Sequence, residues 1–136
     1  MTNDELKGDW QQIEIAGHPC YTYVPPQPSE HGYTVLYMHG YYQGVPMEHP
    51  QMMEHFDRHG LRVIAPLTRR SWWSERICLD FDPDITVVDY LMEEVLPFLE
   101  KEWQCVPPRI ALMGASMGGQ GALRLSYKRP NIFPVV

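Results

Sequence analysis

Hydrophobic and polar positions along the chain fall into two periodicities. Residues 10–16 (WQQIEIA) alternate loosely, which predicts a strand. Residues 20–24 (CYTYV) predict its hairpin partner, with Gly17-His18-Pro19 as the turn. Pro25, Pro26 and Pro28 then stop the strand, because proline cannot donate to a ladder. Three short runs are almost wholly apolar: YTVLYM at 33–38, LRVIA at 61–65 and RIALM at 109–113. Continuous apolar strands are what a sheet covered on both faces requires.

The intervening segments read as helices. One spans 48–59, with Gly60 at the C′ position. A second begins at Thr86, with Asp89 placed as in a capping box, and carries Val87, Leu91, Val95, Phe98 and Leu99 at helical spacing. Pro97 lies inside this pattern and predicts a kink or a stop just before it. A third helix is expected directly after Ser116, running to Lys128 and ended by Pro130. Strands alternating with helices give an α/β fold class. The expected sheet is mostly parallel, with an antiparallel N-terminal hairpin and helices on both faces.

Composition narrows the function classes. The 136 residues make about one domain, and the 44% hydrophobic content is enough to bury a core. A net charge of −6, with only Arg69-Arg70 as a basic pair, leaves no footprint for nucleic acid. No apolar stretch is long enough to cross a bilayer, and the start MTNDELKGDW has no leader-like apolar region. Three cysteines without ligand spacing, Cys20, Cys78 and Cys105, suggest free thiols and a cytoplasmic location. Cys105 reads as an inert buried thiol rather than a nucleophile.

The chemistry concentrates at Gly114-Ala115-Ser116-Met117-Gly118, between the strand RIALM and the third helix. A serine on a sharp strand-to-helix turn presents its hydroxyl outward. Side chains two residues to either side would collide, so glycine stands at 114 and 118. The following helix points N–H groups at the site and favours negative charge there. The Met117 N–H is the natural first oxyanion donor. A second donor is expected from His39-Gly40-Tyr41-Tyr42, directly after YTVLYM; the Tyr41 N–H is the candidate and Tyr42 the runner-up. Gly40 allows close approach of that loop, and His39 is read as its structural support.

Together, LYMHGYYQ and ALMGASMGGQGALRLSYKRPNIFPVV resemble the α/β-hydrolase superfamily. Ser116-Met117-Gly118-Gly119 followed by Gly121-Ala122 resembles its putative-esterase branch, which includes S-formylglutathione hydrolase (esterase D). FDPDITVVDYLMEEVLPFLEKEW is similar to the helix such esterases place before the nucleophile strand. The resemblance implies a serine hydrolase acting on carboxylic esters or thioesters through an acyl-enzyme on Ser116. It implies no cofactor or metal, a small-molecule ester as the partner, and a His and an acidic residue to complete a triad. Acyl transfer, or a catalytically silent fragment or binding domain of the same fold, are the alternatives.

The chain departs from that pattern after the nucleophile. The triad order in this fold is serine, acid, histidine. Residues 117–136 contain no Asp, Glu or His, and all six histidines precede Ser116. The apolar end, Ile132-Phe133-Pro134-Val135-Val136, reads as the opening of another strand. The expectation is one α/β-hydrolase domain over 1–136, incomplete and truncated after the nucleophile helix. Self-association through the open sheet edge is expected.

Other residues have plainer readings. His55 and His59, four apart on a helix, read as a solvated face rather than a metal site. Trp72 and Trp73 could line a pocket but read first as packing. Asp80, Asp82 and Asp84 read as a loop in which Asp82 or Asp84 caps a helix, because the glycine and terminal Glu of a calcium loop are missing.

Overall fold

The computed structural model describes residues 7–136. Most of the polar start of the sequence, residues 1–6, lies outside the described residues. Five strands form one sheet: β1 (Asp9–Ile15), β2 (His18–Val24), β3 (Thr34–Met38), β4 (Arg62–Pro66) and β5 (Ile110–Gly114), in spatial order β1-β2-β4-β3-β5. β2 runs antiparallel to both β1 and β4, while β3 runs parallel to β4 and β5. Only β2 therefore opposes the common direction.

The hairpin turn falls earlier than the sequence suggested. It is formed by Ala16 (φ 50°) and Gly17 (φ 82°), while His18 and Pro19 already pair with Ile15 and Glu14. Two consecutive positive φ values give a turn whose twist matches that of the strands it joins. This outweighs the turn tendency of Pro19, whose carbonyl accepts the Leu67 N–H at 3.0 Å.

Helix α1 spans Pro50–Arg58, preceded by a 3-10 turn at Pro46–Glu48. The predicted start at Glu48 is thus two residues early, because Pro50 opens the α-helical hydrogen bonding. Gly60, at φ 60°, ends the helix: its N–H bonds to the Asp57 carbonyl at 3.2 Å and that of Leu61 to Phe56 at 2.9 Å.

Helix α2 covers residues 87–103, and Pro97 does not stop it. A π-turn at Leu91–Val95, in which the Leu96 N–H reaches the Leu91 carbonyl, widens the helix just before the proline ring. Thr86 caps its start, accepting the Asp89 N–H at 3.1 Å. The cap is therefore neither Asp82 nor Asp84. Asp82 instead accepts the N–H groups of Asp84 (2.8 Å) and Ile85 (3.2 Å), organising the turn that leads into the helix.

Helix α3 spans Met117–Lys128. Side-chain alternation sorts the core into two faces. Leu36, Met38, Ile64 and Leu112 pack with α2 and α3 residues such as Leu91, Leu99 and Leu125. Val35, Tyr37, Val63 and Ala65 pack with Phe56 of α1. Helices thus cover both faces. β5 lies at the edge of the sheet; outside it stands a single parallel bridge, Ala111 to Val135, with the Leu112 N–H on the Val135 carbonyl at 2.9 Å.

Candidate active site

The register of β3 against β5 pairs Met38 with Gly114, so both strands end at the same level. The residues after each therefore emerge side by side. After β5 comes Ser116, exposed and at φ 52°, ψ −113°. A non-glycine residue in that region is strained, and the surrounding packing must hold it there. The packing is visible at the flanking glycines. A Cβ on Gly114 would lie 2.3 Å from the Gly118 carbonyl oxygen, and one on Gly118 would lie 1.8 Å from that of Met38. Only hydrogen fits at both positions, which brings the start of α3 hard against the end of β3.

After β3, the loop 39–43 lies over the elbow. A Cβ on Gly40 would stand 3.3 Å from the Ala115 carbonyl oxygen and 3.8 Å from Ser116 Cβ. Tyr41 and Tyr42 follow with their rings exposed and edge to face at 5.2 Å. Among the described residues no acceptor engages the N–H of Tyr41 or of Met117. Gly40 is thus adjacent to Ser116, with Tyr41 the next residue along the loop, and Met117 follows Ser116 at the helix start.

His39 is 1% exposed, and both ring nitrogens are used. Nε2 accepts the Thr68 N–H at 2.9 Å, which leaves the proton on Nδ1 to donate to the Gly40 carbonyl at 2.7 Å. Burial pushes its pKa down, with the Gly40 bond acting in the opposite direction. A neutral ring so engaged fixes the loop and has no nitrogen to offer Ser116.

A second loop, residues 67–74, clamps the first; the sequence reading singled out its Trp72 and Trp73 but not the clamp made by Thr68 and Ser71. The Arg69 N–H donates to Gln43 Oε1 at 3.0 Å, and Ser71 Oγ–H to Thr68 Oγ1 at 2.9 Å. Trp73 is buried, as the packing reading expected, while Trp72 is 49% exposed. Both tryptophans have positive φ, 55° at Trp72 and 51° at Trp73. For the clamping polar residues the only sequence signals were Thr68 and Ser71 themselves, which are common in any loop.

The other candidates lie apart from the elbow. His55 and His59 are exposed on and just after α1, and His59 offers its carbonyl to His31 at 3.0 Å. Among the described residues no three His, Cys, Asp or Glu side chains form a metal-sized group. Burial raises the Cys20 thiol to about 12, and Cys105 is buried with its Sγ–H towards the Arg109 carbonyl at 3.5 Å. One histidine does meet a carboxylate: His18 Nε2 is 2.8 Å from Asp82 Oδ2. It sits on β2, separated from β5 by β4 and β3, about 14 Å away at the usual strand spacing of ~4.8 Å. No helix among the described residues is long and apolar enough to cross a membrane.

Residues 83–136 match the family model described as putative esterase. No curated protein sequence matches the chain significantly. Among solved structures, it is similar to an S-formylglutathione hydrolase from Agrobacterium tumefaciens, at 20% identity and a TM-score of 0.71, over 93% of this chain and 54% of that one. Fluorophosphonate-binding serine hydrolase F from Staphylococcus aureus gives 15% identity and a TM-score of 0.71, over 93% and 55%. MPT51 from Mycobacterium tuberculosis gives 18% and 0.68, over 92% and 48%. The chain spans about half the length of these structures. It has the α/β-hydrolase fold and, over residues 83–136, matches the putative esterase family.

Proposed function

We propose that the chain is the nucleophile-bearing part of a serine hydrolase acting on carboxylic esters or thioesters. The observation that carries this reading is the exposed Ser116 at φ 52°, between β5 and α3, with Gly40 packed against it. Ser116 Oγ attacks the acyl carbon, its proton passes to a base, and the alcohol or thiol leaves. Water then attacks the acyl-enzyme and releases the acid. The N–H groups of Met117 and Tyr41 hold the oxyanion, Gly114 and Gly118 permit the elbow, and His39 with Gly40 supports the second donor. The match of residues 83–136 to an esterase family supports the chemistry.

The same reading takes residues 1–136 as part of one domain. The triad acid and histidine come from sequence after residue 136, in keeping with relatives about twice as long. The isolated chain is then inactive, and its open β5 edge favours self-association. The three unpaired cysteines fit a cytoplasmic location. The test is turnover of a short-acyl p-nitrophenyl ester by the protein together with the sequence that follows residue 136. Activity abolished by Ser116→Ala supports the reading; activity unchanged by that substitution overturns it.

A further inference from the structure

Tyr41 connects the elbow to a charged cavity. Its backbone follows Gly40, which abuts Ser116, and its ring lies under Arg70, with the guanidinium carbon 4.3 Å from the ring centre. Tyr41, Tyr42, Gln43, Arg69, Arg70 and Asp80 line a cavity of about 300 Å³. In a chain of net charge −6, this wall carries two arginines against one carboxylate.

Neither guanidinium forms an ion pair with a described residue, whereas His18–Asp82, Arg58–Glu54, Lys128–Glu75 and Arg129–Glu75 do pair. Asp80 reaches only the main-chain N–H of Arg70, at 3.4 Å. The backbone at this point is fixed, since the Arg69 N–H is held by Gln43. Stacking on Tyr41 orients the Arg70 guanidinium while leaving its N–H groups in the ring plane available. Two guanidinium groups with unused donors beside a small cavity are suited to an anion, which they can bind through paired N–H···O contacts.

We propose that Arg69 and Arg70 form an anion subsite beside the nucleophile, so that the substrate is an ester bearing a carboxylate or phosphate near its scissile bond. This rests on the ester reading for its reaction and on the cavity alone for its binding. Because Tyr41 carries Arg70 on its ring, a bound anion also steadies the residue proposed above as the second oxyanion donor.

The test uses the purified protein and three probes: monomethyl succinate, its neutral counterpart methyl butyrate, and inorganic phosphate. Binding is followed by calorimetry at low salt. The expected result is saturable binding of an anionic probe, at least about tenfold tighter than methyl butyrate, the scale of one charged hydrogen-bonded contact. Arg70→Gln weakens it by roughly tenfold, and Asp80→Asn strengthens it, because a competing negative charge is removed. Opposite signs from two neighbouring substitutions cannot come from damaged folding. Preference between monomethyl succinate and phosphate identifies the anion. Equal binding of charged and neutral probes, or no effect of Arg70→Gln, overturns the subsite. Failure of a fluorophosphonate to label Ser116 in the protein taken with the sequence that follows residue 136, while anion binding persists, would instead overturn the ester reading alone.

Discussion

The indole Nε1–H of Trp73 donates to the main-chain oxygen of His39 at 3.0 Å, and the two rings pack 5.0 Å apart. The same tryptophan presses on α3, where a Cβ at Gly121 would fall 2.5 Å from Trp73 Cβ. One buried side chain thus ties the loop after β3 to the helix after Ser116. Both halves of the candidate site are held to each other through it.

Trp73→Phe removes the donor and leaves a buried carbonyl unsatisfied. The expected loss of stability is about 1–3 kcal/mol. Urea denaturation of the two proteins measures it, with an unchanged midpoint contradicting the role assigned to the indole.

The glycines of α3 should rank by the atoms they face. Gly118→Ala drives a methyl into the Met38 carbonyl, which belongs to the backbone and cannot turn aside. Loss of the native fold is expected, with a cost of about 3 kcal/mol or more. Gly121→Ala meets Trp73 Cβ at 2.5 Å, a wider gap than the 1.8 Å at Gly118, and about 1–3 kcal/mol is expected as the helix and loop move apart. Thermal melting of both variants would contradict this if Gly121→Ala proved the more damaging.

His39 gives the stability a pH dependence. Its pKa in the folded chain lies below the unfolded value of 6.5, so the unfolded chain takes up a proton first. Its contribution is complete above that value and is lost as pH falls from about 6.5 towards the folded pKa, at up to about 1.4 kcal/mol per pH unit. In His39→Gln this part of the slope should vanish. Denaturation midpoints between pH 7.5 and 5 check the sign, and stability rising over that fall in pH would contradict it.

The edge beside β5 should make the isolated chain associate. Met113, Leu123, Tyr127, Val135 and Val136 are exposed there. Leu123, Tyr127, Pro130 and Val136 line a hollow of about 450 Å³ on the same side. Sedimentation velocity should show concentration-dependent growth of the particle, with a monomer at all concentrations as the contrary result.

Much of the fold was legible because its signals are local. Apolar runs at 33–38, 61–65 and 109–113 marked the three parallel strands to within a residue, since a strand covered on both faces has no polar alternation. Gly60 and Thr86 marked helix ends through their own backbone and side-chain bonding. What was not legible depended on distant partners or on competition between local preferences. Ala16 adopts a positive φ that nothing in its side chain announces, and the π-turn at Leu91–Val95 accommodates Pro97 without breaking the helix. The clamp of Thr68, Ser71 and Trp73 on His39 joins residues about thirty positions apart, with no spacing rule to reveal it. At the site, the elbow was readable because sterics demand glycine at 114 and 118. The Arg70–Tyr41 stack was not, since it arises only once two loops converge.

The most direct test of Ser116 as a nucleophile is covalent capture by a fluorophosphonate, read by mass spectrometry of the digested protein. The protein should be taken with the sequence that follows residue 136. The account predicts a single modified peptide bearing the label on Ser116, lost in Ser116→Ala. An intact, folded protein with Ser116 unlabelled would contradict it.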